Sequence, residues 1–172
     1  MKKLSTPKLA AAGILCALAV AGSLISIPVF GSKCAPVQHM INILGAVFLG
    51  PGYCIGIAFC ASLIRNLLGI GSLMAFPGSM LGALLAGVVY RRVKNISAAL
   101  LAEMFGTAVL GGLCAYPLAI FLMGVNAAGL AFYVYIVPFL ISSAAGSALS
   151  GLLVCSLERG GALKRIHQWL ER

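Results

Sequence analysis

The sequence predicts an all-α integral membrane protein, a bundle of six transmembrane helices with the N- and C-termini on the cytoplasmic side. Three observations predict it. Hydrophobic residues make up 62% of the 172 positions, charged residues 9%, and mean hydropathy is +1.09, whereas soluble domains carry about 25% charged residues. Apolar runs alternate with Gly- and Pro-rich breaks along the whole chain. The basic residues gather beside one set of segment ends, as the positive-inside rule requires of cytoplasmic loops.

Ser5-Thr6-Pro7 is a helix start, with Thr6 as N-cap and Pro7 at the first helical position, and segment one runs over 7–30. Basic residues followed by an apolar stretch have the look of a signal peptide. Residues 10–30 are nevertheless long enough to span, and comparable segments follow, so this reads as a retained helix. Residues 31–36 break it, and segment two, 37–49, is stopped by Gly50-Pro51-Gly52. At ~1.5 Å per residue that second helix reaches only about 20 Å, short of a hydrocarbon core of ~30 Å. Segment three covers 53–68, segment four 76–90 with Pro77 in its first turn, and segment five 96–123 with a kink expected at Pro117. Segment six covers 128–157 with Pro138 inside it. The transmembrane domain is therefore 1–157. Residues 158–172 form a short amphipathic cytoplasmic tail, with Leu163, Ile166 and Leu170 on one face and Trp169 suited to the headgroup level.

The net charge of +9 raises the question of nucleic acid. Ten of the twelve basic residues fall in three clusters (Lys2, Lys3, Lys8; Arg91, Arg92, Lys94; Arg159, Lys164, Arg165, Arg172), each flanking apolar segments and none interleaved with aromatics. Topology explains the charge, and no nucleic-acid partner is expected. With both termini inside, the cytoplasmic side holds those ten, and the outside holds only Lys33 and Arg65.

Little points to catalysis. There is no phosphate-binding loop of the Gly-x-x-x-x-Gly-Lys-Ser/Thr type. The two histidines, His39 and His167, belong to opposite membrane faces, and only Glu103 of the three acids lies within a span. Six scattered cysteines form no Cys-x-x-Cys and read as small buried hydrophobes. No enzyme, metal or cofactor is expected.

Binding fits better, because polar residues converge on the outer half. Gln38, His39 and Asn42 open segment two, Arg65 and Asn66 end segment three, Tyr116 approaches the last outer loop, and Asn126, Tyr133 and Tyr135 lie at or after it. Each residue type also serves as an interfacial anchor, but a short helix beside polar groups lets a loop dip inward and line a cavity. Arg65 lies within snorkelling reach of the headgroups, and Glu103 suits either a structural hydrogen-bonding role or a ligand-binding one. Small residues recur every four positions as Gly13, Ala17, Ala21; Gly78, Gly82, Ala86; and Ser143, Ser147, Gly151. Packing within the chain's own bundle explains at least two of these stripes.

Four blocks carry a resemblance: Pro36-Val37-Gln38-His39-Met40-Ile41-Asn42, Leu49-Gly50-Pro51-Gly52-Tyr53, Leu63-Ile64-Arg65-Asn66-Leu67-Leu68-Gly69 and Ala75-Phe76-Pro77-Gly78-Ser79-Met80. They resemble the ThiW family, substrate-binding S components of energy-coupling factor transporters associated with the thiazole precursor of thiamin. The resemblance implies an S-component-like bundle that captures hydroxyethylthiazole or a related thiamin precursor at the outer face of the cell membrane. It implies docking on a transmembrane coupling protein driven by two ATPase subunits, with the stripe Gly13, Ala17, Ala21 facing that protein. Within it, Gln38, His39, Asn42, Arg65, Asn66 and Tyr116 are expected to hold the ligand, with Phe76 or Tyr133 against its ring. A neutral ligand would suit the scarcity of acids. The same fold with another vitamin or a modified base as cargo, or a small membrane enzyme, are the alternatives.

Overall fold

A computed structural model of the protein describes residues 5–29, 32–126 and 131–171. Helix α1 (Thr6–Gly22) leads into a two-stranded antiparallel hairpin, β1 (Ile27–Val29) and β2 (Ser32–Cys34), with Ile27 opposite Cys34. There follow α2 (Pro36–Phe48), α3 (Pro51–Leu67), α4 (Ala75–Val93) and α5 (Ile96–Phe105). A π-helical turn (Gly106–Gly111) joins α5 to α6 (Gly112–Met123), and α7 (Ile136–Arg159) and α8 (Ala162–Leu170) complete the order.

The helix boundaries follow local chemistry. Prolines stand in the first turn of α1, α2 and α3, where a missing N–H costs nothing. Ser5, not Thr6, precedes the first helical residue. Between α2 and α3 the chain turns at Gly50, whose φ of 85° and ψ of 178° belong to a region open only to glycine. Asn95 caps α5 by accepting from the Ala98 amide at 3.2 Å.

Two expected boundaries move. Segment one was expected to reach residue 30, yet α1 ends at Gly22 and the run Ile25-Ser26-Ile27-Pro28-Val29 enters the hairpin. Alternating β-branched residues favour extended backbone, and Pro28 cannot donate to a helix. Segment six was expected from residue 128, but α7 starts at Ile136, and 127–130 lie outside the described residues. Pro138 thereby falls in the first turn of α7 rather than in its middle, where proline is tolerated.

The short α2 is the central pillar. Nine of its thirteen residues, among them Gln38, His39, Asn42 and Val47, are buried, and α1, α3, α4, α5, α7 and α8 all touch it. The polarity of the bundle is turned inside out. Phe121, 83% exposed, and Leu101, Leu140 and Leu152 face outward, while Ser62, Ser79, Thr107, Ser143 and Ser147 are buried. An apolar coat over an interior in which polar side chains sit among apolar clusters is the arrangement lipid imposes. The 28-residue rod Ile96–Met123 and the 24-residue α7 are each long and apolar enough to cross a bilayer, and α1 is a shorter apolar helix.

Glycine permits the closest helix approach. A Cβ on Gly111 would overlap the backbone of Gly78, and one on Gly82 would overlap the Thr107 hydroxyl and stand 2.9 Å from Glu103 Oε1. The stripe on α4 (Gly78, Gly82, Ala86) is thus internal packing, and Ser143 and Ser147 are likewise buried. Gly13, Ala17 and Ala21 instead lie on the exposed face of α1.

At the far end of the bundle α8 is a docked helix. Leu163, Ile166 and Leu170 join the cluster formed by Leu44, Val47 and Leu15. The His167 Nε2 lies 3.0 Å from the Val47 carbonyl, near the C-terminus of α2, where helical carbonyls lack partners.

Candidate functional site

The cavity lies at the hairpin end, between the start of α2 and the ends of α3, α4 and α7. It is a small cavity of about 40 Å³, open at its mouth, and Gln38, His39, Arg65, Ser79, Thr107 and Ser142 contribute polar groups to its wall. Phe139 supplies an aromatic surface.

Beneath the wall runs a continuous hydrogen-bond network. The Gln38 amide donates to Ser79 Oγ at 2.8 Å and to Ser62 Oγ at 3.2 Å. Ser79 Oγ donates in turn to Asn42 Oδ1 at 3.2 Å. The Asn42 amide nitrogen lies 3.3 Å from both the Ser79 carbonyl and Glu103 Oε1. Glu103 Oε1 also accepts from Thr107 Oγ1 at 2.9 Å and from His39 Nδ1 at 2.8 Å. With Nδ1 donating to the carboxylate, a neutral imidazole presents Nε2 as an acceptor. Cys54 Sγ closes the layer on the Asn42 carbonyl at 2.9 Å.

The network forms because α2, α3, α4 and the α5–π junction each bring polar side chains to one level. The i, i+3 spacing of His39 and Asn42 aligns them on α2, and the i, i+4 spacing of Glu103 and Thr107 aligns them across the α5–π junction. The glycines of α4 let that junction approach closely enough for Thr107 Oγ1 to reach the Gly78 carbonyl at 3.2 Å.

Three buried side-chain atoms have no hydrogen-bond partner among the described residues: Arg65 Nε, Glu103 Oε2 and Ser147 Oγ. The chain has no aspartate, and its other two acids, Glu158 and Glu171, belong to the α8 end. Arg65, 3% exposed, thus stands in the cavity wall without a carboxylate opposite it. Lys33 lines the mouth with its ammonium 3.4 Å from the Ile70 carbonyl.

Of the residues expected from sequence, Gln38, His39 and Arg65 line this cavity and Asn42 lies directly behind it. Asn66 is engaged elsewhere, donating to the Ser62 and Ser72 carbonyls at 2.8 and 3.1 Å and so fixing the turn after α3. Phe76 packs on Phe59 with ring centroids 5.8 Å apart, Tyr116 packs on the Met74–Ala115 cluster, and Tyr133 is exposed against Phe132. None of those three is in the cavity wall. Lys33, Ser79, Thr107, Ser142 and Phe139 were not anticipated. Ser79 lies inside the Phe-Pro-Gly-Ser-Met block, the one sequence signal that pointed near it.

An exposed apolar coat around an internal polar cavity is the form of a membrane-embedded helical bundle. The chain belongs to the ThiW family: the family model described as thiamine-precursor transporter protein (ThiW) matches residues 9–160. It is accordingly a membrane protein of a transporter family rather than an enzyme family. No curated protein matches the chain.

Proposed function

We propose that this protein is the substrate-capture S component of an energy-coupling factor importer. It binds hydroxyethylthiazole or a related thiamin precursor in the cavity at the hairpin end. The ring lies against Phe139, and His39 Nε2, Gln38 and Ser142 meet its polar atoms. Six spans with both termini cytoplasmic place that cavity at the outer face, in keeping with the basic clusters near Arg91 and Lys164. Transport then depends on a coupling protein and two ATPase subunits, which dock on the exposed stripe Gly13, Ala17, Ala21.

The observation that carries this reading is the buried polar cavity, built on the His39–Glu103 network, inside a chain of a thiamine-precursor transporter family. Polar groups cost free energy when buried in an apolar bundle, and concentrating them around one cavity is how a ligand is recognised. The experiment is a thermal-shift screen of detergent-purified protein against thiamin, compounds carrying its thiazole or pyrimidine half, and other vitamins. Stabilisation grows with ligand concentration over its dissociation constant. The largest shift is expected from a compound bearing the thiazole ring; no shift with any such compound refutes the reading.

A further inference from the structure

We propose that the cargo carries an oxyanion, a carboxylate or a phosphate monoester, which the buried guanidinium of Arg65 and the ammonium of Lys33 receive at the cavity mouth. This rests on the reading of the cavity as the cargo site, and it replaces the neutral ligand expected from the scarcity of acids.

Charge accounting is the first support. Lys33 and Arg65 are the only basic residues outside the three basic clusters, and both line the same cavity. The only acid near them is Glu103, whose Oε1 is occupied by His39, Asn42 and Thr107. Among the described residues no lysine or arginine lies within ion-pair distance of a carboxylate; the Glu103 carboxylate meets the His39 ring instead. The cavity therefore carries an excess positive charge even with its carboxylate ionised.

Burial is the second. Arg65 is 3% exposed and its Nε has no partner among the described residues. A snorkelling arginine would lift its head group to the surface; this one keeps it in the wall of the cavity. A cation removed from water without a counter-charge is costly, and an incoming oxyanion removes that cost while engaging a planar donor fork shaped for two oxygens. Lys33, exposed and with the Ile70 carbonyl as its one acceptor among the described residues, keeps donors for the same group. Deeper in, with Nδ1 donating to Glu103, His39 Nε2 remains as an acceptor for the polar atoms of the ring.

The test uses the full chain in neutral detergent at low salt, titrated calorimetrically with a thiazole alcohol, its phosphate monoester and a thiazole carboxylate of the same ring. At least one anion is expected to bind about tenfold or more tightly than the alcohol, the scale of a charge-assisted contact. The tighter of the two identifies the oxyanion. Arg65→Gln should remove the preference and Arg65→Lys should keep most of it, and Lys33→Gln should lower anion affinity more than alcohol affinity. If Arg65→Gln does not fold, the wild-type comparison and Lys33→Gln still decide. An alcohol that binds as tightly as both anions overturns the inference and leaves the cargo reading standing. No binding of any of the three overturns both. Phosphatidylglycerol added to the micelles should leave these affinities unchanged, and displacement of the anions by it would assign the cation pair to lipid instead.

Discussion

His39 Nδ1 and Glu103 Oε1, 64 positions apart in sequence, lie 2.8 Å apart in the middle of the bundle and tie α2 to α5. Because the same oxygen also receives Asn42 and Thr107, one carboxylate holds three side chains from α2 and the α5–π junction. Removing it strands His39 Nδ1 and leaves Asn42 and Thr107 with only their backbone acceptors, the Ser79 and Gly78 carbonyls. Glu103→Ala is expected to destabilise the protein by about 3 kcal/mol or more, and Glu103→Gln, which keeps an acceptor oxygen, by roughly half as much. Thermal unfolding in detergent measures both. A Glu103→Ala protein as stable as the parent would show that the carboxylate is not the organising group. His39→Ala should weaken ligand binding by about 1–3 kcal/mol through the loss of a paired polar group.

The glycine seam between α4 and the π turn makes a contrasting pair of substitutions informative. Gly82→Ala drives a methyl into Thr107 and Glu103 and should cost about 2 kcal/mol or more by overpacking. Gly13→Ala meets nothing within 4 Å and should stabilise α1 by up to about 1 kcal/mol. Equal melting temperatures for the two variants would contradict this account of the seam.

Ala17→Trp tests the docking role of the exposed α1 stripe. The side chain at 17 faces away from the bundle, so a bulky residue there should leave ligand affinity and melting temperature unchanged. Uptake by cells that also express the coupling protein and its ATPases should be lost. Normal uptake removes the stripe from the interface.

Leu170, the last residue of α8, is 2% exposed. Leu170→Ala should therefore cost about 2–3 kcal/mol, as truncation of a packed core leucine does. Thermal unfolding within a few tenths of a degree of the parent would mean that α8 contributes nothing to the folded bundle.

Much of this was readable in sequence where a single physical signal dominates. Gly50-Pro51 marks the α2–α3 turn because only glycine takes that backbone conformation and proline then starts a helix. The run 96–123 is one apolar rod as expected. Residues 25–30 misled because hydropathy does not distinguish a β-branched extended run from the end of a span; Pro28 was the available warning. The π turn left no trace, since it answers to glycines on α4 that are distant in sequence. The site divides the same way. Gln38, His39 and Arg65 stood out as polar groups in apolar surroundings, whereas Ser79 and Thr107 are inconspicuous until the fold brings them to Glu103. The union of His39 with Glu103 was hidden because 64 positions and two intervening helices separate them in the sequence. Only the brevity of α2 and its central position bring both to one depth.

At thirteen residues, α2 covers about 20 Å of a hydrocarbon layer of ~30 Å. Under the six-span reading, the hairpin at its start and α8 beneath its end would make up the remainder of the septum. Damage to either would then thin the barrier between two aqueous compartments as well as loosen the bundle.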